Sequence, residues 1–119
     1  MRNFRELEVW KDARKLVKEV YILSKLLPES EKFGLISQIN RCVVSIPANI
    51  AEGSAKYSQK DFVRFLQISL GSAYELESHL ILCGDLEFVS NEKISEIIRK
   101  TQVLQKRIAS LIKYNNSKH

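Results

Sequence analysis

The chain has 119 residues, of which 45% are apolar and 28% are charged, and its formal net charge is +5. This length predicts one domain over residues 1–119 that is large enough to bury a core. The sequence holds no apolar run near the roughly 20 residues that a membrane span needs, and no apolar stretch typical of a signal peptide follows the first charges. We therefore expect a cytoplasmic protein with no membrane partner.

The first predicted helix covers about residues 5–27. Its apolar positions step by three or four residues through Trp10, Val17 and Leu27, which is the spacing of an amphipathic helix. Pro28 is expected to end the helix, because the residue before a proline is pushed out of the helical region.

The second predicted helix covers about residues 31–53 and contains Pro47. An interior proline removes one backbone hydrogen bond and costs roughly 3 kcal/mol, so the segment could be two helices or one bent helix. Its apolar and polar stripes keep the same phase on both sides of Pro47. This favours one helix that is bent near Pro47 and has Gly53 as its C-cap.

The third predicted helix covers about residues 59–84 after a cap at Ser58, and the fourth covers about residues 91–113, while the tail 114–119 is expected to be disordered. The third helix has more apolar surface than one intramolecular face requires, so part of it is expected to meet another subunit. Four helices with short links predict an all-α fold, an up-down-up-down antiparallel four-helix bundle.

One face of the second helix is polar, although a solvated face would normally carry Lys and Glu. If the third helix runs antiparallel to the second, Arg41 faces Gly71, and we expect a partly buried ion pair between Arg41 and Glu75. We interpret this face as structural, holding bundle register or an oligomer interface, and prefer that role to catalysis. We call this face, together with Glu75 of the third helix, the polar seam. Its members are Gln38, Arg41, Ser45, Asn49, Glu52 and Glu75.

Basic residues recur every seven positions on the first and fourth helices, as at Lys93, Lys100 and Arg107. These two helices are neighbours in an up-and-down bundle, so their basic residues can form one face. Such a face suits a nucleic-acid backbone, which is bound with little sequence preference, but ordinary solvated helices have the same composition. Both interpretations stay open. The candidate residues for binding RNA or DNA are Lys11, Arg14, Lys15, Lys18, Lys93, Arg99, Lys100, Lys106, Arg107 and Lys113.

The sequence gives little support for catalysis, and we expect no catalytic residue and no cofactor. Ser45 has no nearby histidine, and the carboxylates of Glu52, Glu75 and Glu77 lack a partner base. No glycine-rich loop of the kind that holds a nucleotide is present in the sequence. We therefore expect a protein that is not an enzyme.

Metal binding and disulfide formation are likewise not expected. The histidines are His79 and the terminal His119, and the two cysteines are far apart in the chain and form no CxxC motif. Cys42 and Cys83 are also offset along the antiparallel helices, so a disulfide between them is not predicted. Both are expected to be buried thiols.

Three segments carry a resemblance to a known family: Leu7–Tyr21, Leu27–Gly53 and Ser58–Glu77. They resemble the bacterial four-helix-bundle proteins encoded in intervening sequences of large-subunit ribosomal RNA genes. The pairing of SIPANIAEG with the later GSAYELE is specific, whereas the fourth helix carries little motif. Most positions that match the family are structural, and they are Arg41, Ser45, Pro47, Asn49, Glu52, Gly53, Gly71, Ser72, Glu75 and Glu77.

The resemblance implies a homopentamer of four-helix bundles around a central channel. It also implies kinship with the accessory protein of diversity-generating retroelements, a basic pentamer that binds nucleic acid and a reverse transcriptase. Together with the basic stripes, this favours a non-enzymatic oligomer that binds RNA or DNA through the first and fourth helices. The alternative is a protein-interaction scaffold or accessory subunit whose partner is a protein such as a polymerase.

Overall fold

The computed structural model describes residues 2–117 and, over this range, contains four long helices and no strand. Each helix packs against the helix that follows it in the chain, and α1 also packs against α4, so the four helices close into one bundle. The predicted all-α four-helix bundle is confirmed. In chain order the helices are α1 (Glu8–Ser24), α2 (Leu35–Ser54), α3 (Gln59–Asp85) and α4 (Asn91–Asn116).

Helix α1 is shorter than predicted at both of its ends, and α2 is shorter at its start. A 3-10 turn at Phe4–Glu6 precedes α1, and extended backbone at Leu7 separates the two. Helix α2 begins four residues later than predicted, because Gly34 has a non-helical backbone (φ −106°, ψ −111°). The carboxylate of Glu31 reaches forward from the preceding turn, and its Oε1 accepts a hydrogen bond from the backbone N–H of Leu35 at 3.1 Å.

Helix α4 is longer than predicted, and the expected disorder of the tail is wrong for residues 114–116. The side chain of Asn115 is buried there, and its Nδ2 donates to the carbonyl oxygen of Leu111 at 2.8 Å. Ser117 forms the C-cap. Lys118 and His119, which complete the predicted disordered tail, lie outside the described residues.

Helix α2 continues through Pro47 to Ser54, so the interpretation as one helix is confirmed. The prediction that Gly53 is the C-cap of α2 is wrong. The cap is Ala55, and no glycine in the described chain has the positive φ of a glycine cap. The small size of Gly53 serves a close helix contact instead. A Cβ atom added at Gly53 would lie 2.7 Å from the Cβ of Phe65 on α3.

The core lies along the bundle axis and receives apolar side chains from all four helices. A buried hydroxyl group also joins two helices by a hydrogen bond. Ser69 Oγ on α3 donates to the backbone carbonyl oxygen of Ile46 on α2 at 2.9 Å. This packing sets the rotation of each helix and therefore decides which residues face outward. The largest side chains that are completely buried include Phe62, Ile39, Ile46, Ile50, Leu66, Leu76 and Leu80.

Candidate functional site

A groove runs between α1 and α4, where basic residues of the two helices meet. Its central part has a volume of about 570 Å³, and the apolar side chain of Val103 lies among its charged residues. Lys106 lines an adjoining stretch of the groove, and Lys93 lines another. We call this feature the α1–α4 groove, and its central charged residues are Asp12, Lys15, Glu19, Arg99, Lys100 and Arg107.

Two ion pairs join α1 to α4 at the groove. Lys100 Nζ lies 2.6 Å from Glu19 Oε1, and Arg107 Nη1 contacts Asp12 Oδ2. The hydrogen bond that Lys100 donates to Glu19 raises the pKa of Lys100 above its ordinary value, so this ammonium group stays charged. The acidic residues of α1 thus neutralise two of the candidate cations and hold them on the groove.

Most of the other candidate basic residues are exposed and lack an acidic partner. Lys11 is the exception, since its Nζ lies 3.2 Å from Glu8 Oε2. The guanidinium of Arg14 lies over the ring of Trp10, 5.5 Å from its centroid. Helices α1 and α4 pack against each other, so the prediction that they are neighbours is confirmed. The exposed candidate cations with no ion pair to any described residue are Arg14, Lys15, Lys18, Lys93, Arg99, Lys106 and Lys113.

At one end of the polar seam, the predicted ion pair between Arg41 and Glu75 is wrong. Arg41 is exposed, and its Nη2 donates to Gln38 Oε1 at 3.1 Å. Glu75 Oε2 lies 3.2 Å from His79 Nε2 instead. The guanidinium does not lie over Gly71, because no atom of the described chain lies within 4 Å of a Cβ built there, apart from its own helix backbone. The guanidinium keeps its hydration by staying at the surface.

The middle of the polar seam is held by short hydrogen bonds, of which the one between Ser45 on α2 and Ser72 on α3 joins the two helices. The hydroxyl oxygens of Ser45 and Ser72 are 2.8 Å apart. Asn49 Nδ2 donates to the carbonyl oxygen of Ser45 at 2.8 Å and to its hydroxyl at 3.0 Å. Ser45 and Asn49 are half-buried, whereas Glu52 is exposed. The seam is therefore an interhelical contact in its middle and a solvent-facing surface at Arg41 and Glu52.

Where α2 meets α3, Glu75 of the polar seam lies together with Cys42 and His79 in a cluster that was not predicted from the sequence. One ligand atom from each of the three lies within 4.8 Å of the others. Cys42 Sγ is buried and donates to the carbonyl oxygen of Ser72 at 3.1 Å. The four-residue spacing of Glu75 and His79 indicates one helical face. Cys42 lies on α2, so only the packing of α2 against α3 shows that it is close to Glu75 and His79.

Both cysteines are free, as predicted, and both thiols are held in their neutral form. Burial, reinforced by the negative charge of Glu75, raises the pKa of Cys42 to about 12. Burial also raises the pKa of Cys83 to about 11, with a smaller contribution from Glu31. Because the thiolate is the nucleophile, neither side chain is activated for covalent chemistry.

We expect both thiols to resist modification in the folded protein at pH 8. The folded-state pKa of each lies above the ordinary value of 9.0, so raising the pH to 9 ionises the thiols of the unfolded chain before those of the native chain. Titration with a disulfide reagent should therefore detect two thiols in denaturant and almost none in buffer over the same time. Rapid reaction of the native protein would contradict this expectation.

The chain matches a protein-family model described as 23S rRNA-intervening sequence protein over residues 5–110. This range includes α1, α2, α3 and most of α4. No curated protein matches the chain. Within the described residues, no helix combines the length and apolar character that crossing a membrane requires.

A similar solved structure is the 1.70 Å crystal structure of a protein with unknown function from the S23 ribosomal protein family of Bacteroides thetaiotaomicron VPI-5482. The two sequences are 31% identical, and the match covers 88% of this chain and 98% of that chain with a TM-score of 0.82. The similarity extends over nearly the whole bundle.

Proposed function

The chain belongs to the 23S rRNA-intervening sequence protein family, and on this premise we propose that it is a non-enzymatic oligomer that binds RNA or DNA through α1 and α4. The observation that carries the proposal is the α1–α4 groove, where Lys15 of one helix and Arg99 of the other line the same depression. Both are exposed and have no acidic partner among the described residues. Cations of this kind can replace the counterions of a phosphate backbone.

The residues along the groove favour contact with a backbone over recognition of base edges. Lys93 and Lys106 extend the row of cations along α4 on either side of Arg99. Arg99 and Lys106 are seven residues apart, which is about 10.5 Å along the helix axis, and Lys93 lies six residues before Arg99, so this row spans several phosphates. We therefore propose binding with little sequence preference.

Glu52 and Glu77, which were weighed as possible catalytic carboxylates, have no catalytic role in this function. Glu77 has a structural environment, because its two carboxylate oxygens accept hydrogen bonds from Gln102 Nε2 at 3.0 Å and Gln105 Nε2 at 2.8 Å. Glu52 is exposed on α2. Neither residue lines the α1–α4 groove.

We further propose that the chain forms a homo-oligomer through the side of the bundle that α2 and α3 make. The family resemblance implies that this oligomer is a pentamer. Apolar side chains of α3 support this, since Ile68 is 44% exposed, Tyr74 58% and Ile81 45%. Symmetry would repeat the basic groove around the assembly. Light scattering should give about five times the 13.7 kDa chain mass, and a monomer mass would contradict assembly.

Nucleic-acid binding is tested by fluorescence anisotropy of a labelled structured RNA and a labelled DNA duplex at two salt concentrations. We expect affinity to fall steeply with salt. The double variant Lys15→Gln/Arg99→Gln should reduce the magnitude of the salt slope on duplex DNA by about 1.8, because each lost phosphate contact changes it by about 0.9. Affinity at low salt should fall by roughly tenfold.

The matched control is Lys32→Gln/Lys60→Gln, which also removes two positive charges but changes residues outside the α1–α4 groove. It should leave the slope and the affinity close to those of the parent protein. Absence of binding at low salt would overturn the proposal. Equal losses in the two variants would show that net charge matters and that the groove does not.

The second candidate function is a scaffold or accessory subunit for a protein such as a polymerase, as in the retroelement accessory protein to which the resemblance points. The exposed apolar residues of α3 favour it, because they would fit a protein surface better than a phosphate backbone. A partner that is retained on the immobilised chain after nuclease treatment would favour this function. Loss of the partner after nuclease would favour nucleic-acid binding.

A further inference from the structure

The cluster of Cys42, Glu75 and His79 combines three side chains that bind transition metals. Glu75 and His79 are four residues apart on α3, so they project from the same face of the helix, and Cys42 reaches them from α2. His79 Nε2 is 3.2 Å from Glu75 Oε2, and one ligand atom of each residue lies within 4.8 Å of the others. This arrangement requires the pairing of two helices.

The spacing fits one tetrahedral ion after small side-chain rotations. Zinc binds sulfur at about 2.3 Å and nitrogen or oxygen at about 2.0–2.2 Å, which places neighbouring ligand atoms about 3.3–3.8 Å apart. The donor set of thiolate, imidazole and carboxylate suits Zn²⁺ and similar transition metals. Calcium and magnesium are disfavoured, because they prefer oxygen ligands alone.

The ring of His79 is incompletely satisfied by the protein. Its side chain is 18% exposed, and its Nδ1 is buried with no hydrogen-bond partner among the described residues. The neutral ring has one proton and one lone pair, and only Nε2 has a neighbour to share either with. Buried polar atoms are almost always paired, so an unpaired one indicates a missing partner.

We propose that Cys42, Glu75 and His79 bind one divalent transition-metal ion of the zinc type, with the fourth position open to water. The thiol of Cys42 gives up its proton to solvent as the sulfur–metal bond forms, and its hydrogen bond to the carbonyl of Ser72 is lost. The thiolate and the carboxylate of Glu75 balance the two charges of the ion. The bound ion ties α2 to α3 beside the polar seam, and its affinity rises with pH.

The test titrates Co²⁺, as a spectroscopic substitute for Zn²⁺, into the full chain after chelator treatment. We expect visible bands of tetrahedral Co²⁺ and a near-ultraviolet band of thiolate-to-metal charge transfer, saturating at one ion per chain and lost on adding Zn²⁺. Cys42→Ser should abolish the charge-transfer band and weaken binding at least tenfold. His79→Gln should weaken binding at least tenfold while changing a side chain nearer the surface.

Cys83→Ser is the matched control, because Cys83 is equally buried and free but is not part of the cluster. It should keep the bands, the stoichiometry and a rise in Tm with Zn²⁺, while Cys42→Ser should lose that rise. Circular dichroism without metal checks that each variant folds. If Cys42→Ser does not fold, the loss of binding in His79→Gln is the test. Absence of the bands in the parent chain, or their persistence in Cys42→Ser, would overturn the proposal and leave a hydrogen-bonded cluster only.

Discussion

Replacing Phe62 by alanine is expected to lower the free energy of unfolding by about 3–5 kcal/mol, the largest effect of any substitution considered for this chain. Phe62 is 2% exposed and lies where the start of α3 packs against the end of α2. The guanidinium of Arg2 also lies over its ring, 4.1 Å from the centroid. Truncation therefore leaves a cavity and removes the surface on which the N-terminal segment rests.

Urea unfolding followed by far-ultraviolet circular dichroism measures this loss. Phe33→Ala is the matched control, because it removes the same atoms from a side chain that is 89% exposed. We expect the control to stay within about 0.5 kcal/mol of the parent. Similar stabilities for the two variants would show that Phe62 is not packed as described.

Gly53→Ala is expected to destabilise the bundle by about 1–3 kcal/mol, although alanine is the better helix former. The new methyl group would lie 2.7 Å from the Cβ of Phe65 and 3.3 Å from a ring carbon of Phe62. The Cβ of Phe65 is attached directly to the backbone and cannot swing away. Helices α2 and α3 must therefore move apart at this contact.

Gly71→Ala makes the same chemical change in the interior of α3, where no other atom of the described chain lies within 4 Å of the new Cβ apart from the local helix backbone. We expect a gain of about 0.5–1 kcal/mol, because alanine loses less backbone entropy in a helix. The same urea unfolding experiment compares the two variants. Stabilisation by both would contradict the close approach at Gly53.

Local features of the helices were predictable because they depend on neighbouring residues in the chain. Ser58 was expected to cap α3, and its Oγ accepts from the backbone N–H of Asp61 at 3.0 Å. Ser90 caps α4 in the same way, and its Oγ accepts from the backbone N–H of Lys93 at 3.3 Å. The hydrogen bond of an N-cap is made within one helical turn, so a few consecutive residues are enough to predict it.

The end of α4 shows why a local signal can fail. The polar residues after Tyr114 were expected to be disordered, yet Asn115 is buried, and its side chain bonds back to the preceding turn. Burial of that side chain depends on the neighbouring helices, which the local composition does not describe. Tertiary packing therefore extended the helix beyond its sequence signal.

By itself, the sequence determined four amphipathic helices, their order around the bundle and the basic character of α1 and α4, since periodicity and charge are properties of the chain alone. The tertiary structure decided which polar side chains meet. A shift of one residue turns a helical side chain by about 100°, so contacts between α2 and α3 depend on the packed rotation of both helices. That rotation leaves Arg41 in solvent and brings Cys42 to Glu75 and His79.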